Sequence, residues 1–234
     1  MADFIKKSGY DYHNLSIFES NAIPNAEETH EFFSGWQLLN SPTLVNHLIS
    51  VLRFKLVNKR KIKIFDNGAI YVAQKNNELV IQKTIELSKA KTISPRFVYS
   101  HLVMPHFPYY FDEDGKPNSF EKLVETEASY SKKDYLEYLK YANKKFIKLI
   151  DEIQKNSIRP PVIILMSDHG FRELSYRVDK KYLFSNLISI CLPNSDYSKF
   201  YDGMSNVNFF RAFLNTQFGQ TLPLLKDSTI FLQE

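Results

Sequence analysis

The stretch that says most about the fold of this chain reads Pro161-Val162-Ile163-Ile164-Leu165-Met166-Ser167-Asp168-His169-Gly170. Its apolar run is typical of a short strand buried on both faces of a sheet. Ligands of open α/β sheets bind outside the carboxyl ends of the strands, so chemistry is expected directly after this run. Asp168 and His169 can offer one oxygen and one nitrogen ligand to a divalent metal, and Gly170 lets the backbone turn sharply after them. The alternative is that Asp168 caps a helix and His169 is an ordinary polar loop residue.

A second predicted strand, residues 97–104, also leads into a histidine-bearing segment. It contains His101 and is followed by Pro105-His106-Phe107-Pro108. The two prolines restrict the backbone on both sides of His106, which suits a ligating or anion-binding histidine. The alternative is a histidine that packs among aromatic side chains and binds nothing.

The remaining pattern predicts alternating helices and strands. Helical spacing of apolar residues predicts helices at residues 41–58, 77–89, 131–156 and 207–218, with Ser131 as the cap of the third. Residues 187–192 are predicted to be a further strand. The order favours an α/β fold with a mostly parallel sheet flanked by helices, and it shows no convincing domain boundary.

Composition indicates a globular domain. The chain has 234 residues, of which 44% are hydrophobic and 15% aromatic, enough for one sizeable core. The formal charge of +4 is mild. We interpret the denser basic run at residues 55–63 as a solvated helix end, because no nucleic-acid-binding signature accompanies it. The sequence therefore predicts no nucleic-acid partner. The alternative is contact with nucleic acid or with an anionic membrane surface.

The single cysteine, Cys191, excludes an intramolecular disulfide and is expected to be a buried structural thiol. No run of about 18 apolar residues is present that would span a bilayer. The first residues also lack the apolar core of a signal peptide. The sequence therefore predicts no membrane span in this chain.

Three segments, taken in order, resemble the sulfatase-like branch of the alkaline phosphatase superfamily. They are residues 101–109, residues 167–170 and the C-terminal residues 205–228. That branch includes sulfatases, phosphoethanolamine transferases and phosphoglycerol transferases. The resemblance covers most of the chain and implies an alkaline-phosphatase-like sheet, of which residues 12–18 would be one strand.

The resemblance also implies a metal-dependent hydrolysis or transfer of a phosphate or sulfate ester. A Thr, Ser or formylglycine nucleophile attacks phosphorus or sulfur, while one or two divalent metals neutralise the transferred group. By motif match, Asp168 and His169 would ligate a metal such as Zn, Mn or Ca. His106 would contact the transferred group or a second metal, and His101 would assist His106 in this role. Arg172, in the polar stretch that follows, would bind the anionic substrate through its guanidinium. The alternative is that this stretch is only a surface loop.

One part of the family pattern is missing from this sequence. The family's nucleophile and first acidic ligand come from a segment upstream of the matched ones. Asp3 and Ser16 are the nearest residues of the right type, and neither has the family's context. The sequence therefore predicts that residues 1–234 are a single sulfatase-like domain, truncated at its N-terminus and active only with an upstream nucleophile-bearing half. The alternatives are a catalytically inactive remnant that serves as a binding module of the same fold, and an unrelated small-molecule-binding α/β protein.

Overall fold

A computed structural model of the chain describes residues 2–16, 48, 51–52, 55–59, 68–128, 131–172, 179, 181–228 and 230. They belong to two compact units, Met1–Ile158 and Arg159–Glu234. Most of the helix predicted at residues 41–58, and the last residues of the strand predicted at 12–18, lie outside the described residues. Within them, residues 48 and 51–52 are helical and Lys55–Lys59 form a π-helical turn.

The first unit contains a parallel pair of strands. Helix α1 (Ala2–Lys7) leads into β1 (Asp11–Leu15), which pairs in parallel with β2 (Arg96–Ser100). Helix α2 (Val72–Lys89), preceded by a short 3-10 turn (Ala69–Tyr71), lies between the strands in sequence and packs on both of them. Because the strands are parallel, their carboxyl ends share one edge of the pair.

Helix α2 confirms the helix predicted at residues 77–89 but begins earlier. Its buried face carries Asn77, Val80 and Thr84. The Thr84 hydroxyl lies 2.6 Å from the hydroxyl of Ser100 at the end of β2. The strand predicted at 97–104 stops at Ser100, which pairs with the last residue of β1, and beyond it the N–H of Val103 donates to the Oδ1 of Asn77 at 2.7 Å.

Two further helices of the first unit follow in the described part of the chain. They are α3 (Phe120–Ala128) and α4 (Lys132–Asn156). The predicted cap of α4 is confirmed, since the Ser131 hydroxyl accepts a hydrogen bond from the Asp134 N–H at 3.3 Å. The buried core cluster of this unit consists of Val57, Ile70, Tyr109, Tyr110, Phe120, Leu123, Val124 and Tyr138.

The second unit contains an antiparallel pair of strands. Strand β3 (Ile163–Met166) pairs with β4 (Ile188–Cys191), and the short helix α5 (Lys181–Phe184) lies between them in sequence. Helix α6 (Asn206–Gln217) follows, capped by the Ser205 hydroxyl. These elements confirm the strand predicted at 187–192 and the helix predicted at 207–218.

The predicted sheet is found only in part. Among the described residues there are two sheets of two strands each, one parallel and one antiparallel, and a large parallel sheet is not seen. The sequence predicted that β3 is buried on both faces, but its four residues are only half-buried. An apolar run indicates burial but does not specify the direction of the neighbouring strand, so the sequence could not predict the antiparallel partner.

The prediction of a buried Cys191 is wrong. Burial alternates along β4, and Ser189 and Cys191 lie on its exposed face. This alternation is the two-residue period of a strand with one covered face.

Candidate functional site

The first candidate segment is the His106 loop, which we define as residues 101–110. It begins where β2 ends, at the carboxyl edge of the parallel pair. The N–H of His101 donates to the carbonyl of Leu15 at 2.9 Å, which keeps His101 beside the end of β1. Its side chain is half-buried. Ser16 lies at the same edge, but it is buried and its hydroxyl donates to the Oδ1 of Asn14 at 2.7 Å.

His106 lies exposed on this loop, in a defined orientation. Its Nδ1 is 2.6 Å from the carbonyl oxygen of Phe107. A carbonyl can only accept, so Nδ1 carries a proton, and the lone pair of this tautomer lies on Nε2. The peptide bonds before Pro105 and Pro108 are both cis.

The far end of the His106 loop enters the core cluster. Tyr109 and Tyr110 are buried, and the Tyr110 hydroxyl donates to the carbonyl of Ile70 at 2.7 Å. The Asn118 side chain donates to the carbonyl of Tyr109 at 2.7 Å. Both rings contact Tyr138, whose burial raises the pKa of its hydroxyl. The loop is therefore fixed at both ends, and His106 lies between the two anchors.

The second candidate segment is the Asp168 loop, residues 167–170, directly after β3. The N–H of Ser167 donates to the carbonyl of Leu187 at 2.9 Å, and the Ser167 hydroxyl accepts from the N–H of Leu187 at 2.8 Å. The side chain of Asn186 donates to the carbonyl of Ser167 at 3.2 Å. These bonds hold the start of the loop against the chain that enters β4.

Asp168 and His169 bring an oxygen and a nitrogen together. The Nδ1 of His169 is 2.6 Å from the carbonyl of Gly170, so its proton lies there and the Nε2 presents a lone pair. That Nε2 is 3.6 Å from the Oδ2 of Asp168, and the aspartate side chain is 83% exposed. Bonds of about 2.0–2.2 Å to one zinc-like ion place neighbouring ligand atoms at a comparable separation. The pair therefore fits two positions of a metal coordination sphere.

Gly170 is required by close packing. An added Cβ would lie 2.0 Å from the carbonyl oxygen of Tyr182 in helix α5. The N–H of Gly170 also donates to the carbonyl of Leu183 at 3.0 Å. Its φ does not lie in the left-handed region, so the close approach of Tyr182, and not a positive φ, is what favours glycine here. The loop and helix α5 touch through their backbones.

The remaining predicted residue, Arg172, is exposed, and no hydrogen bond or ion pair of its guanidinium occurs within the described ranges. Across the described part of the chain, no group of three or more His, Cys, Asp and Glu side chains forms a metal site. Asp168 and His169 thus lie together in the second unit, and His101 and His106 share one loop of the first unit. The roles predicted for these five residues stay predictions.

Three asparagines that hold the loops were missed from the sequence. Asn77 and Asn118 bind backbone groups of the His106 loop, and Asn186 binds the Asp168 loop. For Asn77 a signal existed, because a polar residue on the otherwise apolar face of a predicted helix requires a partner. For Asn118 and Asn186 the sequence offers no such signal.

The chain matches a protein family along most of its length. A family model described as Sulfatase matches residues 1–211, a range that includes both candidate loops. Comparison with curated proteins and with solved structures finds no match. No helix in the described ranges is long and apolar enough to cross a membrane.

Proposed function

Since this chain belongs to the sulfatase family, we propose that it forms part of a metal-dependent hydrolase or transferase acting on sulfate or phosphate esters. Members of the family act on sulfate esters and generally use a divalent metal. The observation that carries the proposal is the pair in the Asp168 loop, with Asp168 Oδ2 and His169 Nε2 3.6 Å apart.

We assign Asp168 and His169 as metal ligands. The hydrogen bond from His169 Nδ1 to the Gly170 carbonyl fixes the tautomer. It also makes the lone pair of Nε2 more basic and therefore a better ligand for a metal, as in many metal-bound histidines. A carboxylate with an imidazole suits Zn²⁺ or Mn²⁺ better than Ca²⁺, which prefers oxygen ligands. A bound divalent cation supplies positive charge that lowers the pKa of an attacking hydroxyl and stabilises the transferred group. The other ligands come from elsewhere in the complete site.

His106, His101 and Arg172 have the substrate-side roles in this proposal. The exposed Nε2 of His106 can take or give a proton, or donate to an oxygen of the transferred group when protonated. The guanidinium of Arg172 matches the oxygens of a sulfate or phosphate group. Ser16 does not present a nucleophile, since it is 1% exposed and bonded to Asn14. The proposal therefore includes an upstream segment that carries the nucleophile.

Metal binding tests the ligand assignment. Calorimetric titration of the full chain with Zn²⁺ or Mn²⁺ is compared with the variants Asp168→Ala and His169→Ala, and with Asp202→Ala, which removes another exposed aspartate of the same unit. We expect stoichiometric binding by the parent chain and by Asp202→Ala, and none by the other two variants, because one remaining ligand is too few. Unchanged affinity in Asp168→Ala would refute the assignment.

Turnover tests the reaction class. Hydrolysis of 4-nitrophenyl sulfate and of bis(4-nitrophenyl) phosphate is measured in the presence of metal. Each assay is run with and without the proposed upstream segment, which is added as a separate polypeptide. Turnover that requires both the metal and the upstream segment supports the proposal. Metal binding without turnover in any combination favours the alternative, a binding module of the same fold. The absence of both metal binding and turnover would contradict the proposal.

A further inference from the structure

We infer that Asn77 is a positioning residue of the proposed site, which fixes the backbone of the His106 loop from helix α2. Its catalytic meaning rests on the proposed function, while its effect on the loop does not. Asn77 itself touches neither histidine side chain by any hydrogen bond described in the structure; it acts through Val103, which lies between His101 and His106 in sequence.

The contact is short and shielded from water. Asn77 is 3% exposed, and its Oδ1 accepts the hydrogen bond from the Val103 N–H at 2.7 Å. The orientation of the amide is settled by chemistry, because a backbone N–H can only donate and must face the oxygen. Val103 has left the strand ladder, so this oxygen replaces the partner that a neighbouring strand would have provided.

The position of Asn77 follows from the register of α2 against β2. Thr84 binds Ser100, and Asn77 binds Val103. Seven residues of helix rise about 10.5 Å, and three residues of extended chain span about 10 Å, so the two contacts match along antiparallel directions. Asn77 is thus the residue on this face of α2 that reaches the chain just beyond the end of β2.

The second polar atom of Asn77 argues against a role in the helix alone. Its Nδ2 is buried and has no hydrogen-bond acceptor within the described part of the chain. Asparagine is also a poor helix former. An apolar residue would serve the packing of α2 better, so the gain from asparagine lies in its contact with the loop. With Val103 held on one side and Tyr110 on the other, the backbone at His106 has little freedom.

Three variants of the full chain test the inference. Asn77→Leu keeps the approximate size and removes the acceptor, Asn77→Asp keeps an oxygen for the Val103 N–H, and Thr84→Val is the matched control that removes the contact to Ser100 from the same helix face. The readouts are amide hydrogen exchange at Val103 and the NMR signals of the His106 ring, together with the melting temperature.

We expect Asn77→Leu to raise the exchange rate at Val103 at least tenfold and to shift or broaden the His106 ring signals. In Asn77→Asp the Val103 exchange rate and the His106 ring signals should stay closer to the parent values. Thr84→Val should leave both quantities unchanged even where it lowers the melting temperature. If Asn77→Leu does not fold, Asn77→Ser, whose hydroxyl is too short to reach Val103, is expected to give the same two changes. Unchanged exchange at Val103, or equal changes in Thr84→Val, would overturn the inference.

Activity adds a separate arm. In a reconstituted enzyme that turns over, Asn77→Leu should lower kcat at least tenfold with little change in KM, and Asn77→Asp should recover part of it. An unchanged kcat would overturn the catalytic part of the inference. Absence of turnover in the parent chain counts against the proposed function, and the exchange measurements still decide the role of Asn77.

Discussion

The His106 loop and the Asp168 loop share a local design but differ in what supports them. In each, a histidine Nδ1 lies 2.6 Å from the carbonyl of the next residue, Phe107 in one and Gly170 in the other. In each ring Nδ1 therefore carries a proton, and the lone pair of this tautomer lies on Nε2. The His106 loop continues into a buried aromatic core, while hydrogen bonds and a close backbone contact hold the Asp168 loop.

This difference shows that one imidazole geometry can rest on two kinds of support. Tyr138 contacts both Tyr109 and Tyr110, with ring centroids 6.0 and 6.2 Å apart, so apolar burial determines the end of the His106 loop. The Asp168 loop depends on the missing Cβ of Gly170 and on the bonds of Ser167. Loss of packing should therefore dominate mutational effects in the first loop, and altered geometry those in the second.

The largest effect is expected for Tyr138→Ala. Tyr138 is 1% exposed, and truncation of a large buried aromatic side chain costs about 3–5 kcal/mol of unfolding free energy. Denaturant unfolding measures the cost, and the His106 ring signals should lose their defined positions. Leu136→Ala, at a position of the same helix that is 43% exposed, is the control and should cost far less. A loss below about 1 kcal/mol for Tyr138→Ala would break the comparison, because the core would then not support the loop.

A smaller effect on stability, with a larger effect on metal affinity, is expected for Gly170→Ala. The new Cβ would meet the Tyr182 carbonyl at 2.0 Å, so the loop or α5 must move, at about 1–3 kcal/mol. Displacement of the neighbouring Asp168 and His169 should weaken Zn²⁺ binding in calorimetry. Gly203→Ala, at φ 75° with nothing within 4 Å of the added Cβ, should cost about 1 kcal/mol and leave the affinity unchanged. Equal affinities for all three proteins would show that the close contact does not shape the loop.

The smallest expected effect is a loss of stability at low pH in the polar network around Asp227, in the second unit. Hydrogen bonds from Ser205 and Tyr201 lower the pKa of Asp227 to about 2. A carboxyl whose pKa is lower in the folded state stabilises the fold above its ordinary pKa of about 4, and this stabilisation is lost as the pH falls through about 2.

Amide exchange checks this prediction at Leu225, whose N–H donates to Asn208 in the same network. Protection should decrease between pH 4 and pH 2 in the parent chain and should be low at every pH in Asp227→Asn. The Val103 amide, in the other unit, is the internal reference and should not follow this titration. A parent profile that matches Asp227→Asn would remove the proposed role of the carboxylate.

The sequence predicted what depends on local pattern. Helical spacing and a serine cap were enough for α4, and short apolar runs were enough for β3 and β4. His106 and His169 were correctly placed after strands, whereas His101, predicted inside the strand, lies just beyond its last residue.

What the sequence could not predict depends on distant partners. The chain beyond β2 is bound by Asn77, which is far away in the sequence, and the direction of β3 against β4 depends on which strands pair. Gly170 was singled out for its backbone freedom, but its reason is the approach of α5. Each of these contacts exists only once the chain has folded.

The most direct test of the account is the ¹⁵N spectrum of the His169 ring during titration with Zn²⁺. The account predicts that one equivalent of metal shifts the Nε2 signal, while Nδ1 keeps its proton and its bond to the Gly170 carbonyl, and that Asp168→Ala abolishes the shift. An Nε2 signal that does not respond to metal, or that responds equally in Asp168→Ala, would contradict it.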